Sequence, residues 1–322
     1  MPVDWLSGMA ETEPRPACRR IACVGRHVQG GLGSNAAAAS LPPPPPAEDW
    51  RALDGWAQHA ADEIKERGFA VVRRLLPRAH LDELCAAMDG FIATVVPPLE
   101  VGVGDGHRLY ETAAGEVGAL ALKYVSYRAF SHLPDEPQFD ALLTLPHHPA
   151  LEAVARACLN TPAGSERALT FATKWLNKPP VALEARRATP MHQDAQYFAR
   201  APNAELPRLC SVWIALDPAD EENGCLRYIP FSHRSGLLPH TPGGPVGFSQ
   251  QLESSSLLQD NMPWMEEEEE LAVLQPGDAV WHDGCTVHGA SANQSAHRQR
   301  RALGVTFRSV SRSRNVQNDM DR

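Results

Sequence analysis

His192 and Asp194 are two residues apart in a His-Gln-Asp tripeptide. On a β-strand, residues i and i+2 point to the same face, so a histidine and a carboxylate at this spacing can reach one metal ion. His80 and Asp82 have the same spacing, but they lie in a helical pattern, in which the two side chains diverge. We interpret the His80 pair as structural and the His192 pair as part of a candidate metal site.

His288 supplies a third candidate ligand. It follows a turn at Pro276-Gly277 and a short β-like run, Ala279–Trp281. Two histidines and one carboxylate on one face of an octahedron leave three positions open, which is the arrangement of non-haem Fe(II) oxygenases. The same ligand types also occur in zinc hydrolases. Taken alone, His288 is also compatible with an ordinary core histidine.

Arg300 and Arg301 open a β-like run that ends at Phe307. With a period of two, Arg300 shares one strand face with small residues, Ala302, Gly304 and Thr306. Arg301 lies on the other face with the apolar residues Leu303, Val305 and Phe307. A guanidinium above small side chains is suited to bind a carboxylate in two-point fashion. Arg300 is therefore a candidate anchor of a dicarboxylate, with Arg301 as its rival. If the metal ligands were absent, a surface arginine at the start of a strand would be the favoured interpretation of Arg300.

The elements that must position these residues change in type along the chain. Helical spacing is found over about 50–64, with Gly68 just beyond, and again over 77–96 and 149–159. A strand, 69–76, separates the first two. After residue 165 short β-rich runs prevail, at 169–176, 210–216, 226–229, 271–274, 279–281 and 302–307. This order predicts an α+β chain whose second part is a β-sandwich or jelly roll.

Residues 1–47 have the composition of a disordered tail. Proline, alanine and glycine are frequent in them, and the segment ends in Ala36–Ser40 and the polyproline stretch Pro42–Pro46. Such a segment buries too little apolar surface to offset the entropy of ordering it. We predict one folded domain over 48–310, followed by a polar tail, 311–322.

Composition excludes several classes of protein. The formal charge of −9 argues against a general nucleic-acid binder, which needs a basic face. No apolar run approaches the roughly 18 residues that span a bilayer. The seven cysteines are an odd number without a secretory leader, which favours reduced thiols in an intracellular compartment. The predicted partner is a small-molecule substrate, and the sequence indicates no oligomeric state.

Several ordered motifs together resemble the phytanoyl-CoA dioxygenase family. They run from about residue 174 to residue 307 and comprise Asn177–Pro180, Met191–Phe198, Val212–Asp217, Glu222–Leu226, Pro230–His233, Pro276–Asp278, His288–Gly289 and Arg300–Ala302. Gly289 marks His288, rather than His282, as the histidine of the motif. One departure is Phe231, which stands where the family has glycine and which makes a turn with positive φ costly.

The resemblance implies a double-stranded β-helix with helices packed outside it. It assigns Fe(II) to His192, Asp194 and His288, and it places 2-oxoglutarate at Arg300, with Trp213, Lys123 and Lys174 also in the co-substrate pocket. The implied reaction is hydroxylation of an aliphatic carbon with O₂, releasing succinate and CO₂, and ascorbate is a candidate reductant. Related halogenases have a small residue at the position of Asp194, so an intact carboxylate favours hydroxylation.

The sequence also bears on the substrate and on the cellular location. The substrate that gives the family its name is a branched acyl-CoA, and other relatives hydroxylate different small molecules. We predict a cytoplasmic protein, with the peroxisome as the alternative, because Arg20-Ile21 and His27-Val28 resemble the ends of a peroxisomal N-terminal nonapeptide. The alternative from another class is a binding protein or sensor of the same fold without catalysis.

Overall fold

The structure is a computed structural model, and it describes most of the chain from Ser40 to Ser311. The described residues are 40–95, 110–112, 122–180, 188–198, 206, 208–242, 250–253 and 269–311. The resemblance to a peroxisomal nonapeptide and most of the predicted N-terminal tail lie outside these residues. So does the C-terminal segment 312–322.

Among the described residues, five α-helices precede the main run of strands, and their bounds are α1 Trp50–Arg67, α2 Arg78–Thr94, α3 Tyr127–Phe130, α4 Asp140–Thr144 and α5 Pro149–Leu159. Helix α1 begins where Asp49 accepts a hydrogen bond from the backbone N–H of Ala52. It ends at Gly68, whose φ of 94° suits the left-handed cap conformation. Among the described helices, none is both long and apolar enough to cross a membrane.

The strands form two main sheets and a hairpin. Their bounds are β1 Ser40–Leu41, β2 Phe69–Val72, β3 Tyr110–Thr112, β4 Leu122–Val125, β5 Arg167–Lys178, β6 Thr189–His192, β7 Leu209–Ala215, β8 Leu226–Tyr228, β9 His240–Pro242, β10 Gln250–Leu252, β11 Glu270–Ala272, β12 Ala279–Asp283, β13 His288–Ala290 and β14 Arg300–Ser311. The large sheet has the order β1-β2-β12-β7-β14-β5-β4-β3, and the small sheet has the order β11-β8-β13-β6. Strands β9 and β10 pair separately.

The large sheet separates two apolar cores. Its outer face packs against the helices, where Leu303, Val305 and Phe307 of β14 join apolar residues of α1, α2 and α5. Its inner face packs against the small sheet, where Trp213 and Ala302 meet residues such as Tyr228. Burial of each large apolar side chain contributes roughly 1.5–3 kcal/mol, which holds the layers together. The jelly-roll and α+β predictions are confirmed.

Some observed elements are longer than the predicted ones, and others, such as β3, β9 and β10, were not predicted. Strands β5 and β14 are each 12 residues long, because they pair with each other from Arg300 opposite Lys178 to Ser311 opposite Arg167. The structure describes residues 40–47, which the sequence analysis assigns to the predicted tail. Strand β1 runs parallel to β2, with Leu41 buried, and the indole N–H of Trp56 donates to the carbonyl of Pro42.

Candidate metal centre

The structure brings His192, Asp194 and His288 together. His192 is the last residue of β6, Asp194 opens the 3-10 turn that follows, and His288 is the first residue of β13. Because β13 pairs with β6, the two histidines lie directly opposite each other. One potential ligand atom of each residue lies within 4.8 Å of the others, and all three side chains are buried. These are the residues that the sequence motif predicts.

Backbone carbonyls orient both imidazoles. Nδ1 of His192 lies 2.9 Å from the carbonyl oxygen of Pro190, and Nδ1 of His288 lies 2.9 Å from that of Thr286. A carbonyl only accepts, so each Nδ1 carries the hydrogen and each Nε2 keeps a lone pair. Burial lowers the pKa of His192 to about 4 and that of His288 well below its usual value. Both rings are therefore neutral near pH 7, the form that binds metals.

Asp194 is held through one of its two carboxylate oxygens. Oδ2 accepts a hydrogen bond from the hydroxyl of Ser211 at 2.5 Å and lies 3.2 Å from Nε2 of His282. Oδ1 lies 3.8 Å from Nε2 of His192, facing the histidine pair. Burial acts to raise the pKa of Asp194, but the charge of Lys174 and the bond from His282 outweigh it and hold that pKa well below its usual value.

This donor set fits a divalent transition metal. Two neutral imidazole nitrogens and one ionised carboxylate oxygen lie within 4.8 Å of one another. Non-haem Fe(II) uses this set in a facial arrangement, and zinc accepts the same donor types. The second histidine and aspartate with this spacing, His80 and Asp82, have a different environment. Both lie on helix α2, and Asp82 forms an ion pair with Arg78 at 2.9 Å.

The two neighbouring arginines have different environments. Arg301 points to the outer face and forms a two-point ion pair with Asp217, in which both bonds are 2.8 Å long. Arg300 is buried on the inner face, with its guanidinium carbon 4.9 Å from the centre of the Trp213 ring. Burial lowers the pKa of Arg300 to about 10. Within the described part of the chain, its Nε has no hydrogen-bond partner.

Trp213 and Lys174 flank the same residue of β14. Gly304 lies opposite Trp213 of β7 on one side and opposite Lys174 of β5 on the other. Trp213 is buried and Lys174 is half-buried. Lys123 lies in β4, and its side chain is outside the described residues. Trp213 and Lys174 therefore lie in the same row of the large sheet, between Arg300 and the metal-ligand cluster.

Sequence reasoning missed three polar residues near the cluster. Ser211 contacts Asp194, Thr306 contacts Ser211 at 3.0 Å between hydroxyl oxygens, and the Tyr228 hydroxyl lies 3.0 Å from Nδ1 of His282. Ser211 interrupts the apolar run of β7, and that break was a usable signal. Nothing local distinguishes Tyr228 from an ordinary strand tyrosine.

Phe231 has a left-handed backbone conformation, although its side chain makes that conformation costly. Its φ is 62°, in the left-handed region that favours glycine. The backbone N–H of Phe231 donates to the carbonyl of Arg67 at 2.8 Å, and its ring lies 4.9 Å from the guanidinium carbon of Arg234. Phe231 therefore forms a hydrogen-bonded turn at a positive φ although it is not glycine.

Comparison with known proteins identifies a family model and several relatives that are similar to this chain. A family model described as Phytanoyl-CoA dioxygenase (PhyH) matches residues 64–302, a span that contains His192, Asp194, His288 and Arg300. A probable phytanoyl-CoA dioxygenase of Caenorhabditis elegans is 28% identical over 169 residues, 52% of this chain and 51% of the relative. The human peroxisomal phytanoyl-CoA dioxygenase is 23% identical over 247 residues, 76% of this chain and 66% of the relative. The aligned parts thus span about half to two thirds of these relatives.

Solved structures share the fold. EvdO2 from Micromonospora carbonacea var. aurantiaca, complexed with 2-oxoglutarate, is 26% identical with a TM-score of 0.52, covering 78% of this chain and 90% of that one. SnoK, a non-heme alpha ketoglutarate dependent carbocyclase from nogalamycin biosynthesis, is 23% identical with a TM-score of 0.56. That alignment covers 87% of this chain and 93% of SnoK. At this identity, SnoK supports the fold alone.

Proposed function

The chain belongs to the phytanoyl-CoA dioxygenase family, and from that membership we propose that it is an Fe(II)- and 2-oxoglutarate-dependent dioxygenase that hydroxylates an aliphatic carbon of a small molecule. The observation that carries the proposal is the buried cluster of His192, Asp194 and His288, with both Nε2 atoms and one carboxylate oxygen available to one ion. In this proposal these three residues bind the iron.

Arg300 is the proposed anchor of 2-oxoglutarate. Its guanidinium is buried and lies over Trp213, whereas Arg301 is already engaged by Asp217. A buried cation favours an anionic partner, and the planar fork of arginine binds a carboxylate at two points. Trp213 forms a wall beside the co-substrate, and Lys174 adds positive charge on the same face of the sheet. We keep Lys123 in this proposal as a further pocket residue, on sequence grounds alone.

The roles of the protein residues follow from their geometry. When bound, iron with 2-oxoglutarate and O₂ supplies the oxidising chemistry, in which one oxygen atom enters succinate and the other the hydroxylated carbon, with release of CO₂. His192 and His288 supply neutral nitrogen donors, because their Nδ1 hydrogens are used by carbonyls. Asp194 supplies one negative charge, and the apolar core between the sheets excludes water. The protein thus provides geometry and shielding.

The finer proposal concerns the substrate. Several matched relatives are named phytanoyl-CoA dioxygenase, in worm, human and cattle. We therefore place branched acyl-CoA thioesters first in a substrate screen, followed by smaller aliphatic metabolites. For the location, we propose the cytoplasm, with the peroxisome as the alternative. A fluorescent protein fused behind residues 1–39 tests the nonapeptide, because targeting to peroxisomes would decide for the alternative.

The first test is an anaerobic titration of metal-free protein with Fe(II) and then 2-oxoglutarate, followed by absorbance. A weak visible charge-transfer band is expected when the 2-oxo acid binds to iron. The band should be lost in Asp194→Ala and His288→Ala, while His80→Ala, outside the cluster, should keep it. Succinate release with O₂ and a screened substrate then measures turnover.

Two outcomes would contradict the proposal. Fe(II) binding no tighter in the parent protein than in Asp194→Ala would leave only a binding protein of the same fold. Tight Zn(II) binding with hydrolysis, and no 2-oxoglutarate-dependent band, would favour a zinc hydrolase. Metal analysis of anaerobically purified protein separates these two cases.

A further inference from the structure

His282 is a third buried histidine beside the metal-ligand cluster. It lies on β12 and is 3% exposed. Its ring centre is 4.3 Å from that of His288. Nε2 lies 3.2 Å from Oδ2 of Asp194, and Nδ1 lies 3.0 Å from the hydroxyl of Tyr228. Both ring nitrogens therefore have partners, one of which is a proposed iron ligand.

The partners of His282 assign its protons. Oδ2 of the ionised Asp194 only accepts, so Nε2 of His282 carries a hydrogen. In the neutral ring, Nδ1 then accepts from the hydroxyl of Tyr228. This is the reverse of His192 and His288, which carry the hydrogen on Nδ1 and keep a lone pair on Nε2. His282 therefore donates to the carboxylate ligand, and its Nε2 is not available to the metal.

The hydrogen bonds around Asp194 connect the two sheets. Asp194 follows β6 of the small sheet, and Tyr228 lies on β8 of the same sheet. Their partners belong to the large sheet: His282 on β12 and Ser211 on β7. Thr306 on β14 extends the chain through its contact with Ser211. Tyr228 is also fixed by stacking on Phe69, at 4.5 Å between ring centres.

We propose that His282, supported by Tyr228, is a positioning residue that restricts Asp194 to one-point metal binding. Together with Ser211 it occupies Oδ2, so that the carboxylate presents only Oδ1 to the ion. A carboxylate that used both oxygens would take one of the three positions needed by 2-oxoglutarate and O₂. This inference rests on the proposed function, because it concerns the same site.

Three variants separate the roles of the two bonds. His282→Leu removes both hydrogen bonds and leaves Oδ2 of Asp194 without this donor. His282→Gln keeps an N–H group at about the position of Nε2, and Tyr228→Phe removes only the hydroxyl while retaining the ring stacked on Phe69. Loss of a residue that supports a metal ligand typically weakens metal binding about 10–100-fold. We expect that loss for Leu, recovery of most of the affinity for Gln, and an intermediate loss for Phe.

The test is an anaerobic titration of the metal-free variants with Co(II), with Fe(II) as competitor. The dissociation constant gives the affinity, and the visible absorption of Co(II) reports the coordination number, which a purely structural role would not change. His80→Leu, on helix α2, is the matched control and should bind as the parent does. Circular dichroism of the metal-free proteins shows whether each variant is folded.

The outcomes are distinct. Parent-like Co(II) affinity and spectrum in His282→Leu, or equal losses in Leu and Gln, would overturn the positioning role. If His282→Leu does not fold, Tyr228→Phe decides alone, and unchanged affinity in that variant overturns the inference. Failure of the parent protein to bind Co(II) or Fe(II) would instead overturn the proposed function, so the two failures are distinguishable.

Discussion

At the scale of single residues, Arg300 and Arg301 show how one strand gives neighbouring side chains different environments. Arg301 is paired with Asp217 on the outer face, whereas Arg300 is buried over Trp213 on the inner face. Period-two alternation of β14 produces this difference, since consecutive side chains point to opposite faces of the sheet. The sequence left open which of the two arginines binds 2-oxoglutarate. The contacts of the two guanidinium groups favour Arg300, which remains our proposal.

Arg300→Met should weaken binding of 2-oxoglutarate about 10–100-fold, because a two-point, charge-assisted contact is lost. Arg301→Met should leave that affinity unchanged and lower the free energy of unfolding by about 1 kcal/mol through loss of the partly buried ion pair with Asp217. Calorimetric titration of 2-oxoglutarate into anaerobic Fe(II) protein measures the first effect, and urea unfolding measures the second. Equal affinities in the two variants would refute the assignment.

Phe231 stores strain in a turn. A residue other than glycine in the left-handed region costs about 1–2 kcal/mol. We expect Phe231→Gly to be more stable than Phe231→Ala by about 1 kcal/mol, because both variants lose the ring and only glycine relieves the strain. Urea unfolding of the two variants measures the difference. A more stable alanine variant would show that the conformation at this position is not strained.

At the scale of elements, the close approach of β13 to β6 sets the separation of the two histidines. A Cβ on Gly289 would lie 2.9 Å from the carbonyl oxygen of Thr189 and 2.9 Å from the sulfur of Met191. Any side chain there must push β13 away from β6. Since His288 precedes Gly289 directly, the displacement would reach the proposed metal ligands.

Gly289→Ala should therefore weaken Fe(II) or Co(II) binding by about tenfold or more and lower the unfolding midpoint. Gly55→Ala is the matched control, because a Cβ there meets nothing within 4 Å and alanine favours helix α1. Metal titration and thermal unfolding of both variants test the prediction. Parent-like metal affinity in Gly289→Ala would mean that β13 can shift without moving His288.

The longer helices and several strands were predictable from local patterns, whereas the proposed ligands were identified from ordered motifs that resemble the family. The alternation in β14 correctly predicted that Ala302 lies on one face and that Leu303 and Phe307 lie on the other, and the structure shows these to be the inner and outer faces. The contacts among Asp194, Ser211 and His282 were not predictable, because they depend on the registers of strands far apart in sequence. Strand β1 was missed for a similar reason, because two residues form a strand only where they can pair with another strand, here β2.

At the scale of the whole molecule, the partly buried His148 makes stability depend on pH. His148 precedes α5 near His80, with ring centres 5.6 Å apart. Burial, and to a lesser degree the charge of His80, lowers the pKa of His148 below 6.5. In the unfolded chain His148 binds a proton near pH 6.5, whereas in the folded chain it binds that proton only at lower pH. The stabilisation is thus fully present above that pH and decreases as the pH falls below it.

The free energy of unfolding of the metal-free protein should therefore fall between pH 7.5 and pH 5.5. In His148→Gln, which cannot be protonated, the fall should be smaller. Chemical unfolding of both proteins at several pH values and constant ionic strength measures the two slopes. Parallel pH profiles would show that His148 does not contribute.

Strand β1 has a consequence for association between molecules. Ser40–Leu41 covers one edge of the large sheet by pairing with β2, and the backbone N–H of Arg73 donates to the carbonyl of Leu41. The prolines that follow lack an N–H, so this border is a poor template for another strand. A chain shortened to start at residue 48 would expose β2 as an open edge. Light scattering should then detect aggregation at concentrations at which a chain starting at residue 38 stays dispersed.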